Sequence, residues 1–151
     1  LRLSRRSAWP ADGPDAAAWQ ADVWLGDSLG EMALYYGLAH LALLGGSFAP
    51  LGGQNLIEAA ACACPVVMGP HTFNFAQAAE QAEACGAAWR VADMAAGCRL
   101  ADALLNDGGR LAAARQGAAV LIDGGRGAVS RTAQAVLAAA ALVPSPARSP
   151  G

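Results

Sequence analysis

The sequence predicts an α/β fold, a parallel sheet flanked by helices, and two observations carry that expectation. Short apolar runs alternate with alanine-rich stretches of helical length. Three of the strand-to-helix junctions bear glycine, at 26–31, 45–58 and 69–75. Strands that alternate with helices at this spacing run parallel through right-handed crossovers. The three loops are therefore expected together at the carboxyl edge of one sheet, where open α/β folds bind ligands.

Residues 1–7 alternate apolar and charged side chains, as a half-exposed strand would. Residues 9–15 contain Pro10, Gly13 and Pro14 and read as a loop. A helical turn over 16–21 leads to a short buried strand at 22–26 and a helix that opens at 27–31 and runs to about Leu38. Ser28 and Glu31 have the spacing of a capping box. A strand at 41–44, the long second loop and a helix over 55–62 follow, then a strand at 65–68 with Pro65 at its first position, where a missing N–H is tolerated. The third loop, 69–75, leads into a helix ending near Cys85, and 87–91 is a further strand. Three helical stretches, 94–105, 109–121 and 128–142, are separated by Gly108-Gly109 and Gly124-Gly125. Domain 1–143 thus precedes a Pro/Ser tail, 144–151, expected to be disordered.

The second loop organises the chain. Gly45-Gly46-Ser47 ends the strand, and Gly52-Gly53-Gln54-Asn55 precedes the helix. Glycine permits φ > 0 and lets a ligand approach without meeting a Cβ, and a helix start offers unpaired N–H groups. An anionic or hydroxyl-rich ligand suits such a place. The plainer alternative is that Asn55 caps the helix and Glu58, three residues on, closes a capping box.

Composition narrows the function. At 151 residues this is one domain with room for a core. It is 55% hydrophobic but only 6% aromatic, so small side chains and closely packed helices are expected. A net charge of −2 gives no nucleic-acid footprint. No apolar run approaches the roughly 18 to 20 residues that span a bilayer. The start, without Met or a signal peptide, reads as a piece of a longer chain. Cys62, Cys64, Cys85 and Cys98 sit in apolar segments without flanking histidines and read as reduced core residues rather than a metal site. No Gly-x-Gly-x-x-Gly follows a strand, which argues against a dinucleotide.

The runs Gly26-Asp27-Ser28-Leu29-Gly30-Glu31, Tyr36-Gly37-Leu38-Ala39, Gly45-Gly46-Ser47, Gly52-Gly53-Gln54-Asn55-Leu56-Ile57-Glu58-Ala59 and Gly69-Pro70-His71-Thr72-Phe73-Asn74-Phe75 closely resemble, in order and spacing, 3-deoxy-D-manno-octulosonic acid (Kdo) transferases. The last run is the most specific. Gln54 stands where that family often has His, and Leu56 where it often has Pro. The resemblance implies a Rossmann-like domain, the C-terminal half of a GT-B glycosyltransferase. Such enzymes move Kdo from CMP-Kdo to lipid A precursor at the cytoplasmic face of the bacterial inner membrane, without a metal or other cofactor.

The resemblance also implies that this half holds the nucleotide sugar, whereas the N-terminal domain holds the acceptor and the catalytic carboxylate. No catalytic residue is then expected in this chain, which should not catalyse alone and lacks the first strand-helix unit of its domain. It assigns Ser28, Leu29, Gly30 and Glu31 to the nucleotide, Gly46, Ser47, Gly52, Gly53, Gln54 and Asn55 to the donor crevice, and Glu58 to the ribose hydroxyls. His71 is a further candidate for donor or acceptor. Phe73 and Phe75 are expected to anchor the third loop in the core. Alternatives are another GT-B enzyme using a UDP-sugar, a non-catalytic α/β nucleotide-binding module, or a structural piece whose glycines only turn the chain.

Overall fold

A computed structural model describes residues 1–125 together with Gln134 and Leu137, both helical. The helix expected over 128–142, apart from those two residues, and the tail 144–151 lie outside the described residues. In order the elements are β1 (Leu3–Arg5), α1 (Ala16–Trp19), β2 (Val23–Leu25), α2 (Met32–Leu38), β3 (Ala42–Leu44), α3 (Leu56–Ala61), β4 (Val66–Met68), α4 (Ala76–Ala84), β5 (Ala88–Arg90), α5 (Met94–Leu105) and α6 (Gly108–Gly125).

All strand pairs are parallel, as the alternation predicts. β3, β4 and β5 form one three-stranded sheet, with Leu44 opposite Met68 and Met68 opposite Arg90. β1 and β2 form a separate two-stranded sheet, Arg5 opposite Leu25. The expectation that all three glycine loops leave one sheet is therefore corrected. The second and third loops leave adjacent strands, and the first leaves the smaller sheet. β2 is not the buried strand its sequence suggests, since Val23 and Leu25 are partly exposed and Trp24 is half-buried.

The core follows from period-two alternation along β4. Val66 and Met68 face a cluster with Leu44 of β3, Ala88 of β5, and Leu56, Ala59, Ala60, Ala79, Ala82, Ala118 and Leu121, contributed by α3, α4 and α6. Val67 faces the other way, onto Leu104 and Leu111. Small residues bring the helices close, as expected from the alanine content. The limit is Gly117 on α6, where a Cβ would run into the carbonyl oxygen of Cys85 and stand 3.1 Å from Ala87 N.

The starts of α1, α3, α5 and α6 are set by side chains that accept orphan N–H groups. Asp15 accepts from Ala18 N (2.8 Å), Asn55 from Ile57 N (3.2 Å), Asp93 from Ala96 N (2.7 Å) and Asp107 from Arg110 N (3.0 Å). The bond from Asp107 lets α6 begin at Gly108, so Gly108-Gly109 lies inside the helix rather than before it. Gly124-Gly125 likewise belongs to α6 rather than separating it from what precedes. Cys64 is buried, Cys62 and Cys85 are half-buried and Cys98 is exposed, so Cys98 is not the core residue expected. Phe75 packs against the core, but Phe73 is 64% exposed and anchors nothing there. Among the described residues no helix is long and apolar enough to cross a membrane.

Candidate functional site

The second and third loops form one unit, and Ser47 is its pin. Ser47 is buried; its Oγ donates to the Leu44 carbonyl (2.5 Å) and accepts from Gly69 N (2.8 Å), while its own carbonyl accepts from His71 N (3.0 Å). The Ser47 hydroxyl is therefore engaged in joining the loops rather than lining a crevice. At the far end Asn74 donates from its backbone N to Gly52 O (3.1 Å) and from Nδ2 to Leu51 O (3.3 Å).

Gly52 and Gly53 have φ of 90° and 88°, a conformation that favours glycine. A Cβ on Gly53 would stand 3.2 Å from His71 O, and one on Gly52 would strike the Asn74 side chain and approach the Phe73 ring to 2.8 Å. Loop docking by itself requires both glycines.

At the head of α3 the polar groups face solvent. Gln54 Oε1 accepts from Gly46 N (3.3 Å), so Gln54, not only the glycines, shapes this crevice. Asn55 Nδ2 donates to Glu58 Oε1 (3.0 Å). Glu58 thus meets the side chain of Asn55, not its backbone N–H, and the capping box is left open. α3 has six residues, so individual N–H groups rather than a long helix dipole are available to an anion.

His71 borders a surface cleft of about 410 Å³ with Pro70, Thr72, Phe73, Glu80 and Arg90. Arg90 braces the third loop, donating from Nη1 to Thr72 Oγ1 (2.7 Å) and pairing through Nη2 with Glu83 (2.9 Å).

The first loop is held by charge. Ser7 donates to Asp27 from its backbone N (2.9 Å) and its Oγ (2.8 Å), and Arg6 Nη2 pairs with Glu31 Oε1 (2.8 Å). Glu31 Oε2 accepts from the Ser28 hydroxyl and from Tyr35 OH (3.3 Å). Ser28 and Glu31 do not form a capping box: α2 begins at Met32 and Glu31, at the cap position, makes no side-chain cap bond. Leu29 is fully exposed and Gly30 has φ 80° with open space around it.

The Ser7 backbone N–H and then its hydroxyl hold the Asp27 carboxyl below the ordinary range. Glu31 is lowered chiefly by the Ser28 hydroxyl, with Arg6 and Tyr35 adding and partial burial opposing. Groups whose folded pKa is depressed contribute stability above their unfolded pKa and lose it as pH falls through the folded value. The Ser7 amide, which donates to Asp27, is expected to keep its hydrogen-exchange protection at about pH 5 and to lose it progressively as pH falls below about 4, which exchange measured across that range would show.

The sequence reading missed Arg6, Ser7 and Asp27 at the first loop and Arg90 at the third. The parallel register supplies a signal for the first group, because Arg5 opposite Leu25 brings Arg6-Ser7 alongside Gly26-Asp27. Among the described residues no group of three or more His, Cys, Asp or Glu is placed to hold a metal ion.

No protein-family model matches the chain. A 3-deoxy-D-manno-octulosonic acid transferase of Bordetella pertussis is 56% identical over 94 residues, 62% of this chain and 21% of the relative. One of Haemophilus influenzae is 51% identical over 53 residues, 35% of this chain and 12% of the relative. The solved C-terminal CMP-Kdo binding domain of WaaA from Acinetobacter baumannii superimposes with a TM-score of 0.70 at 28% identity, over 81% of this chain and 61% of that one. It is the Kdo transferases that this chain matches, in sequence and in fold. The chain spans about a fifth of the Bordetella Kdo transferase and a smaller share of the Haemophilus one. The expected GT-B C-terminal fold thus stands, with the sheet divided as described.

Proposed function

We propose that this chain is the donor-binding domain of a Kdo transferase, holding CMP-Kdo while Kdo is moved to lipid A precursor in lipopolysaccharide biosynthesis. The observation that carries the reading is the docked pair of glycine loops beside Glu58 and Gln54, on a fold like that of a CMP-Kdo binding domain. N–H groups of the second loop would meet the donor phosphate or the Kdo carboxylate. Glu58 would exchange its bond with Asn55 for bonds from the ribose hydroxyls. His71 would face donor or acceptor from the neighbouring cleft.

In the full-length enzyme an acceptor hydroxyl, deprotonated by a carboxylate of the acceptor-binding N-terminal domain, attacks the anomeric carbon as CMP leaves, with inversion. Leaving-phosphate stabilisation by preorganised donors is this domain's contribution. It needs neither a metal nor another cofactor, and the chain alone would bind without turning over. The full-length protein would work at the cytoplasmic face of the inner membrane.

Calorimetric titration with CMP tests the reading. The isolated chain is expected to bind in roughly the millimolar range, about −4 kcal/mol. Hydrogen bonds to a charged group contribute about 1.5 to 3 kcal/mol, so Glu58→Ala is expected to weaken binding about 10- to 100-fold and abolish a saturable response. An unchanged response in Glu58→Ala contradicts the ribose role.

A further inference from the structure

The first loop is an arch fastened at both feet. Asp27, the first foot, takes two hydrogen bonds from Ser7, at 2.9 and 2.8 Å, and lies 3.7 Å from Arg5 Nη1. Glu31, the second foot, takes the Arg6 guanidinium at 2.8 Å. Arg6 is itself fixed from another side, 5.4 Å above the Trp9 ring, which meets Trp24 edge-on at 4.8 Å between centroids. Between the feet only Ser28, Leu29 and Gly30 remain, with Leu29 and Gly30 exposed.

These fastenings exceed what the strands require. β1 and β2 already pair through three residues each, and Arg2 N donates to Asp22 (2.7 Å) at the opposite end of the ladder. Tyr35 closes the arch from beneath, its ring leaving no room for a Cβ on Gly26, where the nearest ring atom would be 2.6 Å away. A short, exposed crown on fixed feet has little conformational entropy left to lose on binding.

We propose that Arg6 and Asp27 are positioning residues for the donor nucleotide, holding the 28–30 arch in its binding conformation through Glu31 and Ser7 without touching the ligand. The proposal rests on the donor-site reading above. The groups that set it are the cations Arg5 and Arg6 and the carboxylates Asp27 and Glu31, bridged by the hydroxyls of Ser7, Ser28 and Tyr35.

Backbone NMR of the whole chain tests it, with Arg6→Met, Asp27→Ala, and two conservative variants, Arg6→Lys and Asp27→Asn. Three quantities are read: order parameters of residues 28–30, exchange protection of β4, and the dissociation constant for CMP. Arg6→Met and Asp27→Ala are expected to lower the order parameters of the arch, leave β4 protection unchanged and weaken CMP at least fivefold. Arg6→Lys and Asp27→Asn, which keep a charge or an acceptor oxygen, are expected to recover most of the affinity.

An arch that stays rigid in the variants overturns the proposal, and so does a loosened arch with unchanged affinity. Loss of β4 protection together with affinity, even in the conservative variants, overturns it in favour of a fold-wide structural role. Absence of any saturable CMP response in the unmodified chain overturns the donor-site reading and the positioning role with it. A normal response in the unmodified chain with no change in the variants defeats only the positioning role.

Discussion

A Gly69→Ala chain is expected to be about 2 to 3 kcal/mol less stable than the parent, since overpacking costs of this order arise where neighbours cannot yield. The added Cβ would lie 2.5 Å from Ser47 O and 2.9 Å from Phe48 Cα, both backbone atoms, and 2.8 Å from the Phe48 ring. Ser47 cannot retreat easily, because its hydroxyl bridges Leu44 O and Gly69 N. The second and third loops should therefore separate. For a chain of this size the midpoint of thermal unfolding should fall by roughly 5 to 10 °C, and the CMP response should be lost with it. A variant of unchanged midpoint would show that the loops are not docked as described.

Leu104→Ala is expected to cost about 3 kcal/mol or more, within the range for a fully buried leucine whose removal leaves a cavity. Leu104 on α5 has no exposed surface and packs with Val67 and Leu111 on the face of the sheet opposite the main core. That second cluster is small, so little can collapse into the space. Denaturant unfolding would report the loss. Because none of the residues of this cluster lies in the glycine loops, CMP affinity at a temperature where the variant is folded should be unchanged, which separates this result from that of Gly69→Ala.

Much of the fold was legible because its signals are local. α5 is found at Met94–Leu105, the stretch expected for it, and β4 follows Pro65 directly. The candidate site was legible for a different reason. Motif runs such as Gly69 to Phe75 combine a tight turn with particular side chains, and the docking of Asn74 on Gly52 shows why several must occur together.

What was not legible depends on partners distant in sequence. Ser47 reads as a crevice residue until Gly69 is brought 2.8 Å from its hydroxyl. Ser28 and Glu31 have capping-box spacing, but Arg6, 25 residues away from Glu31, draws that carboxylate into an ion pair. The divided sheet was missed because β2 carries a strand's composition without neighbours on both sides. Gly108-Gly109 was misread as a break because the capping role of Asp107 lies one residue outside the pair.

An amide-resolved NMR titration of this chain with CMP, and with UMP in parallel, tests the central claim most directly. The account predicts saturating shifts at Ser28, Gly30, Gly53, Asn55 and Glu58 with CMP, and weaker ones with UMP. Equal responses to the two nucleotides would point to a UDP-sugar enzyme. Silence at all five residues up to several millimolar CMP would contradict the donor site itself.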